Sequence, residues 1–486
     1  MMLLSQAAKA LGGRLIGEDV RFNAVSTDSR AITSGDLFVA LQGERFDGSL
    51  FVASAMQSGA VAAMISEDRG SRIEDRVKSG AVGSSQSPIL DPQSAFLLVE
   101  DTRLALGRLA AHWRAQFAIP VVAVTGSNGK TTVKEMLASI LGVAAGSTEA
   151  VLATKGNFNN DIGMPLTLLK LRASHRFAVI EMGMNHTGEI DYLTRIARPD
   201  VAIVNNASGA HLAGLGSVEA VAHAKGEIFA GLPENGISVI NADDEFAPLW
   251  REQAGNRPII EFSLERAAAI HAQWQVQGYG ARIGVDTLLG NFNADLQVPG
   301  VHNVRNALAA TAAAVALRIP LPAIVAGLEK FSGVAGRLQR KQASHGAVLI
   351  DDTYNANPAS LRSAIKVLMQ AAGKKILVLG DMGELGSDAS RLHGEIGAEA
   401  RRMGVDKLLA LGELSTHAVR EFGAGAQHFE RIEDLFAMLD KSLDAHSTVL
   451  VKGSRFMRME RVVNYLEAGS GKSIPHAQKE KTCCSH

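Results

Sequence analysis

Over most of this chain, short apolar runs rich in Val, Ile and Leu alternate with longer stretches of mixed polarity. Short runs bounded by turn residues read as buried strands, and 3.6-residue periodicity between them reads as helices. From 116 to about 317 the pattern predicts strands at 121–125, 177–181, 201–205 and 237–241 with helices between them, hence a mostly parallel sheet. After Ile319-Pro320 the alternation restarts. Strands at 348–351, 376–379, 407–411 and 448–451 interleave with helices near 358–371, 389–403, 413–422 and 431–443, the pattern of a second, smaller doubly wound domain. Residues 1–115 hold short β patterns such as Asp36-Leu37-Phe38-Val39, then helices at 51–58 and 102–116. A polar stretch from Glu67 to Gln93 reads as a surface insertion.

The strand at 121–125 runs into Gly126-Ser127-Asn128-Gly129-Lys130-Thr131-Thr132, and 131–141 reads as a helix. Glycines let backbone N–H groups turn inward on a phosphate, and the helix N-terminus adds positive potential. Lys130 can reach terminal phosphates and the Thr131 hydroxyl can sit on magnesium. The loop is a shortened phosphate loop, because the earlier glycine of the usual spacing falls at Val124. The expected class is therefore α/β with three domains: a small α/β domain over 1–115, a central P-loop-type ATPase domain over 116–317, and a Rossmann-like domain over 318–468. The polar tail over 469–486 is expected to be disordered. Its Gly469-Ser470-Gly471-Lys472-Ser473 is a decoy phosphate loop, since a helix rather than a strand precedes it.

Composition narrows the function classes. Forty-nine basic and fifty acidic residues leave a net charge of -1, which gives no electrostatic footprint for nucleic acid or an anionic membrane. The only cysteines, Cys483 and Cys484, exclude a disulfide scaffold and fit a reducing compartment. No signal peptide and no membrane-spanning run is read, so a cytoplasmic location is expected.

Chemically loaded residues follow several predicted strands. Glu181 closes the strand at 177–181 and suits a hard oxygen ligand for Mg²⁺. His211 follows the strand at 201–205; that position alone raises it above an ordinary surface or core histidine, as a metal ligand or catalytic group. Ligands of open α/β sheets bind outside such strand ends. Lys225 lies in a helical pattern, where a lysine is usually solvated. Asn303 and Asn306 open an Ala-rich helix and can cap it or bond a nucleobase edge. Arg337 suits a γ-phosphate and Asp352 suits ribose hydroxyls, although both residue types also serve in turns.

Taken in order, Thr125-Gly126-Ser127-Asn128-Gly129-Lys130-Thr131-Thr132, Glu181-Met182-Gly183, His302-Asn303-x-x-Asn306 and Asp352-Thr353-Tyr354-Asn355-Ala356-Asn357-Pro358 resemble the Mur ligase family, ATP-dependent amide-forming enzymes of peptidoglycan precursor synthesis. The resemblance covers nearly the whole chain. Tyr354-Asn355-Ala356-Asn357-Pro358 stands where sister ligases and folylpolyglutamate synthases typically show Ala-His-Asn-Pro. With Lys155-Gly156-Asn157-Phe158-Asn159-Asn160, and with no Asp-Asn-Pro-Arg motif, it is similar to the branch that joins D-alanyl-D-alanine to UDP-N-acetylmuramoyl-tripeptide. Thr27-Asp28-Ser29-Arg30 matches the uridine-diphosphate-binding domain of that branch, while Ser49 stands where the family usually has His.

The resemblance implies an N-carboxylated Lys225 that helps hold a second Mg²⁺. It also implies ATP contacts by Asn303, Arg337 and Asp352, and muramoyl-substrate contacts by Thr154, Asn157, Asn185 and His186. Asn355 and Asn357 fall in the discriminating motif, and Lys452 and Arg455 end the last strand where an incoming dipeptide could meet a basic group. The implied reaction runs through an acyl phosphate, with ATP and Mg²⁺ as cofactors, no nucleic-acid or integral-membrane partner, and a monomeric chain. Closure of the last domain should exclude water, with a hinge expected near 318–322. Two other readings stay open: a Mur-type ligase adding one amino acid, and a P-loop nucleotide-binding protein without ligation.

Overall fold

The computed structural model describes residues 1–43, 46–68, 95–209 and 215–468. His211, nearly all of the 67–93 insertion, the 469–486 tail with its decoy loop, and both cysteines lie outside the described residues. No helix among the described residues is long and apolar enough to cross a membrane.

Three sheets organise the chain. The first has five strands in the order Arg14–Ile16, Ala95–Val99, Ala62–Ser66, Asp36–Val39 and Ala24–Ser26, antiparallel only at its first pair. The central sheet has nine: Val151–Ala153, Phe177–Glu181, Val121–Thr125, Val201–Val204, Ile237–Asn241, Ile259–Ser263, Ile270–Gln277, Gly280–Thr287 and Gly290–Leu296. Its first seven strands are parallel; the last two turn back as an antiparallel meander that the sequence reading did not anticipate. The third sheet has six strands, in the order Gln339–Gln342, Val348–Asp352, Ser447–Lys452, Lys374–Gly380, Lys407–Leu411 and Ala426–Phe429, with helices between its parallel members.

Predicted elements mostly recur with shifted ends. The helix expected at 131–141 is Lys130–Ala145, stopped by Gly146 in the left-handed conformation. The helix expected at 51–58 opens as a 3-10 turn, Gly48–Phe51, because the Asp47 carboxylate accepts the Ser49 N–H, and turns α-helical over Val52–Gln57. The helices expected at 102–116 and 358–371 end at Arg114 and Leu368.

One boundary is corrected. The sequence reading ended the central domain at 317 and put a hinge near 318–322. The helix Leu321–Lys330 instead packs in the central core through Ile324 and Leu328, followed by Phe331. Gly327 meets the helix Lys130–Ala145 so closely that a Cβ would lie 2.3 Å from Ile140 Cα, and Ser139 Oγ donates to the Gly327 carbonyl at 2.8 Å. The chain leaves this core only after half-buried Val334, with Gly333 (φ 106°), Gly336 (φ 70°) and Leu338 (φ 50°) along the way.

The two inter-domain joints differ in kind. One apolar cluster runs from Met2, Phe22 and Leu97 through Leu106 and Trp113 to Val121, Ile180 and Trp250, so the first two domains share a core. Trp113 Nε1 also donates to the Leu171 carbonyl at 3.1 Å, and Arg103 pairs with Asp161. The third domain has its own clusters, to which the central domain contributes only half-buried Tyr279 among the described residues. It meets the central domain mainly through polar contacts, and those contacts fall at the phosphate loop.

Candidate active site

The strand Val121–Thr125 lies between Phe177–Glu181 and Val201–Val204, where the chain's crossovers change direction. Such a switch point leaves a crevice beyond the carboxyl ends of the strands. The Gly126–Lys130 turn occupies it. Gly129 has φ 81°, and a Cβ there would lie 2.3 Å from Asn306 Oδ1 and 2.6 Å from Asn205 Nδ2, so only glycine fits.

Lys130 opens the helix and donates from Nζ to the Gly126 carbonyl at 2.6 Å. Loss of solvation on burial lowers its pKa; the Arg337 charge adds to this, while Glu181 and Glu384 oppose it. Thr131 Oγ1 donates to Glu181 Oε2 at 2.9 Å. Glu181 is held from two further sides: its N–H donates to Thr154 Oγ1 and its Oε1 accepts from Asn159 Nδ2, both at 2.9 Å. Two buried, hard oxygen donors thus converge beside the loop.

An asparagine network frames the turn. Asn205 Nδ2 donates to the Asn128 carbonyl and to Asn306 Oδ1, each at 3.0 Å. Asn306 Nδ2 donates to Asn303 Oδ1 at 3.1 Å, and Asn206 Oδ1 accepts the Asn128 N–H at 2.9 Å. Asn303 and Asn306 therefore brace the loop from the helix Val301–Ala316. Beside them His302 is pushed down to about 4, first by burial and then by Lys452 and Arg305.

The third domain closes the site. Arg337 Nη2 donates to Thr131 Oγ1 at 3.0 Å, and its guanidinium stacks 4.2 Å from the Tyr354 ring centre. Its Nε is buried without a hydrogen-bond partner among the described residues, a donor unsatisfied until an anion arrives. Asn357 Nδ2 donates to Asn128 Oδ1 at 2.9 Å. Asp352 and Lys452 form a buried pair at 2.5 Å; burial raises the Asp352 carboxyl and Lys452 opposes the shift. Arg455 pairs with Glu460 at 3.2 Å.

One cavity of about 2390 Å³ joins these surfaces. Ordinary single-ligand pockets reach about 1,000 Å³, so this one has room for two substrates. It is lined by Asp28 from the first domain, by Ser127–Thr132, Asn157, Glu181, Asn185, His186, Asn303 and Asn306 from the second, and by Arg337, Asp352, Asn355, Asn357, Lys452 and Arg455 from the third. Among the described residues, five expected site residues do not line it: Gly126, Ser29, Arg30, Thr154 and Lys225. Arg30 is exposed and forked onto Asp28, at 2.9 and 2.7 Å, with Ser29 between them. Thr154 acts through Glu181. Lys225 is 1% exposed, with no ion pair or hydrogen bond to its ammonium among the described residues. Burial and then the Lys130 charge hold its pKa well below the ordinary lysine range.

Three regions of the chain match family descriptions: "Mur ligase family, catalytic domain" over 21–114, "Mur ligase middle domain" over 124–314, and "Mur ligase, glutamate ligase domain" over 336–455. The UDP-N-acetylmuramoyl-tripeptide–D-alanyl-D-alanine ligase of Escherichia coli K12 is 42% identical, over 96% of this chain and 98% of its own. The chain belongs to the Mur ligase family. The Bacillus subtilis ligase of the same name is 34% identical over 91% of this chain and 93% of its own. A crystal structure of MurF from Acinetobacter baumannii superposes with a TM-score of 0.85 at 37% identity, covering 95% of this chain and 97% of that one. MurF from Thermotoga maritima in complex with ADP gives 0.75 at 26% identity, covering 93% and 98%.

In this Mur ligase, sequence reasoning missed Asn159, Asn205, Asn206 and Ser208. Asn128 Nδ2 donates to Ser208 Oγ at 2.9 Å. Asn205 ends an anticipated strand and Asn206 directly follows it, and the usual chemistry of strand ends was the available signal.

Proposed function

We propose that this chain uses ATP to join D-alanyl-D-alanine to UDP-N-acetylmuramoyl-tripeptide, giving the pentapeptide precursor of peptidoglycan with ADP and phosphate. The observation that carries the reading is the junction of Thr131 with both Glu181 and Arg337, a phosphate-activating site assembled from two domains. The identity to relatives of that name supports the substrate pair.

The tripeptide carboxylate attacks the γ-phosphorus of ATP, forming an acyl phosphate and releasing ADP. The acceptor amine attacks the acyl carbon, and the tetrahedral intermediate expels phosphate. Two anions meet in the first step, so Lys130 and the unsatisfied Arg337 Nε lower its barrier by placing positive charge at the γ-phosphate. The convergent Thr131 and Glu181 oxygens fit a magnesium ion, which supplies further charge neutralisation when bound. Lys225 fits N-carboxylation, because its buried amine is disfavoured as a cation and CO₂ reacts only with a neutral amine. Asn128 and Asn357 hold the third domain over the loop, which shields the acyl phosphate from water.

The test is product formation. ATP, UDP-N-acetylmuramoyl-tripeptide and D-alanyl-D-alanine should yield ADP and the amide. Amide formed instead from the dipeptide precursor with a single amino acid would overturn the acceptor assignment.

A further inference from the structure

The loop that follows the strand Phe177–Glu181 leads into the helix Glu189–Ala197. Its residues Asn185, His186, Thr187 and Gly188 are exposed and line the active-site cavity. Gly188 closes the loop at φ 88°, a conformation that glycine adopts freely, and so brings no side chain to cap the helix. A helix start leaves backbone N–H groups without partners. Here the Glu227 carboxylate takes them, from 36 and 39 positions away along the chain. The Gly188 N–H donates to its two oxygens at 2.9 and 3.0 Å, and the Asp191 N–H donates to Oε2 at 3.2 Å. Glu189 folds back to accept the Asn185 and His186 N–H groups on Oε2 at 2.6 and 3.2 Å. The loop backbone is thus held at both ends by carboxylates. The Asn185 amide and the Thr187 hydroxyl have no hydrogen bond among the described residues, and both stand toward the cavity lining.

The helix is secured without Glu227. Ile190, Leu193 and Ile196 sit in the core shared by the first two domains, and Thr194 Oγ1 donates to the Ile228 carbonyl at 2.8 Å. A Cβ at Gly231 would lie 2.3 Å from Thr194 Oγ1, so helix and 3-10 turn Glu227–Gly231 already touch closely. What Glu227 adds is local: it fixes Gly188 and the first helical turn, and with them the place of the loop's side chains. Glu227 itself does not line the cavity.

The loop lies on the side of the site that faces the first domain. Its helix packs against Thr102–Arg114 so tightly that a Cβ at Gly107 would come 2.1 Å from Tyr192 Oη. A substrate reaching from Asp28 to Lys130 crosses this side of the cavity, whereas ATP phosphates are met by the Gly126–Lys130 turn and Arg337.

We propose that Glu227 is a positioning residue that sets the Asn185–Gly188 loop for the substrate supplying the carboxylate, the UDP-linked muramoyl-peptide. This rests on the ligase reading above. By holding Gly188, Glu227 fixes the polar Asn185 and Thr187 side chains before that substrate arrives, so less ordering is lost on binding.

The experiment measures binding of UDP-N-acetylmuramoyl-tripeptide to the full chain by titration calorimetry without ATP or acceptor, together with steady-state kinetics. E227A should weaken that binding about 10-fold, as for one lost hydrogen bond to a charged group, and leave KM for ATP unchanged. E227Q keeps one acceptor oxygen for the Gly188 N–H and should weaken binding about 3-fold, the scale of a neutral hydrogen bond; it carries the test if E227A does not fold. T194V removes the other polar tie between helix and turn, and should lose stability to urea while binding the UDP-linked tripeptide as the wild type does. Equal weakening by T194V would reduce Glu227 to helix stability and overturn the proposal. Unchanged binding in both Glu227 variants, or a matching loss toward ATP, would overturn it as well. A wild-type chain that does not bind the UDP-linked tripeptide would overturn the ligase reading first, and the proposal with it.

Discussion

Asn357 Nδ2 donates to Asn128 Oδ1 at 2.9 Å, while Asn357 Oδ1 accepts the Ser360 N–H at 2.8 Å. One side chain therefore caps the helix Pro358–Leu368 and ties the third domain to the phosphate loop. The two uses separate by mutation. N357D keeps the capping oxygen and loses the amide donor, so it should retain stability while ligation falls by at least ~10-fold, the scale of one lost hydrogen bond. N357A should in addition lose about 1 kcal/mol of stability. Calorimetry and amide formation on both variants measure the two effects; equal destabilisation by both would mean the cap is not what Asn357 supplies.

Lys130 is the positive charge nearest the loop's own carbonyls, with its ammonium on Gly126. Replacing it with Ala should leave the fold intact and cut turnover by at least ~10²-fold, as for other lost transition-state charge donors. Circular dichroism with single-turnover kinetics checks this. A folded variant with near-normal turnover would remove the phosphate-loop assignment.

The loop and Glu181 were legible because their chemistry is local: a strand end, a glycine turn and a helix start adjoin in sequence. Asn205 and Asn206 were not, since their partners lie far along the chain. The Asn357–Asn128 bond spans 229 positions, and nothing in a segment announces so distant a contact. The domain boundary failed for a related reason. Ile319-Pro320 ends one helix, but which core the next helix joins is decided by Ile324 and Leu328 fitting beside Ile140. The meander Ile270–Leu296 was missed although its signal was present: Ile270, Ala272, Trp274 and Val276 alternate with His271, Gln273, Gln275 and Gln277, and Ala281, Ile283 and Val285 fall on alternate positions of the next strand.

His302 supplies a pH test. Its folded pKa of about 4 lies below the ordinary 6.5. Between these values the unfolded chain binds the proton and the folded chain does not, so stability rises with pH across that window and is lost as pH falls through it. H302N should flatten this dependence: urea denaturation at pH 5 and pH 7 should differ less for the variant than for the wild type. An unchanged difference would show that His302 is not held neutral by its surroundings.

Lys225 offers the sharpest test of chemistry beyond the standard side chains. Its amine is buried, has no hydrogen-bond or ion-pair partner among the described residues, and lies within electrostatic range of Lys130. A bare ammonium there would be repelled by the same charge that draws phosphate in. A carbamate reverses the sign, gives Lys130 an anionic neighbour and adds two oxygens able to meet a hard cation. K225A should therefore lose at least ~10²-fold in turnover, the scale of one lost electrostatic group, and regain part of it with added acetate or formate, small carboxylates able to enter the vacated space. K225R keeps a permanent charge, cannot be carboxylated, and should be neither active nor rescued. Both variants are compared at several magnesium concentrations, because a lost anionic ligand should raise the magnesium needed for half-maximal rate. If carboxylates leave K225A unchanged and its magnesium requirement matches the wild type, Lys225 acts through packing alone and the carbamate is discarded.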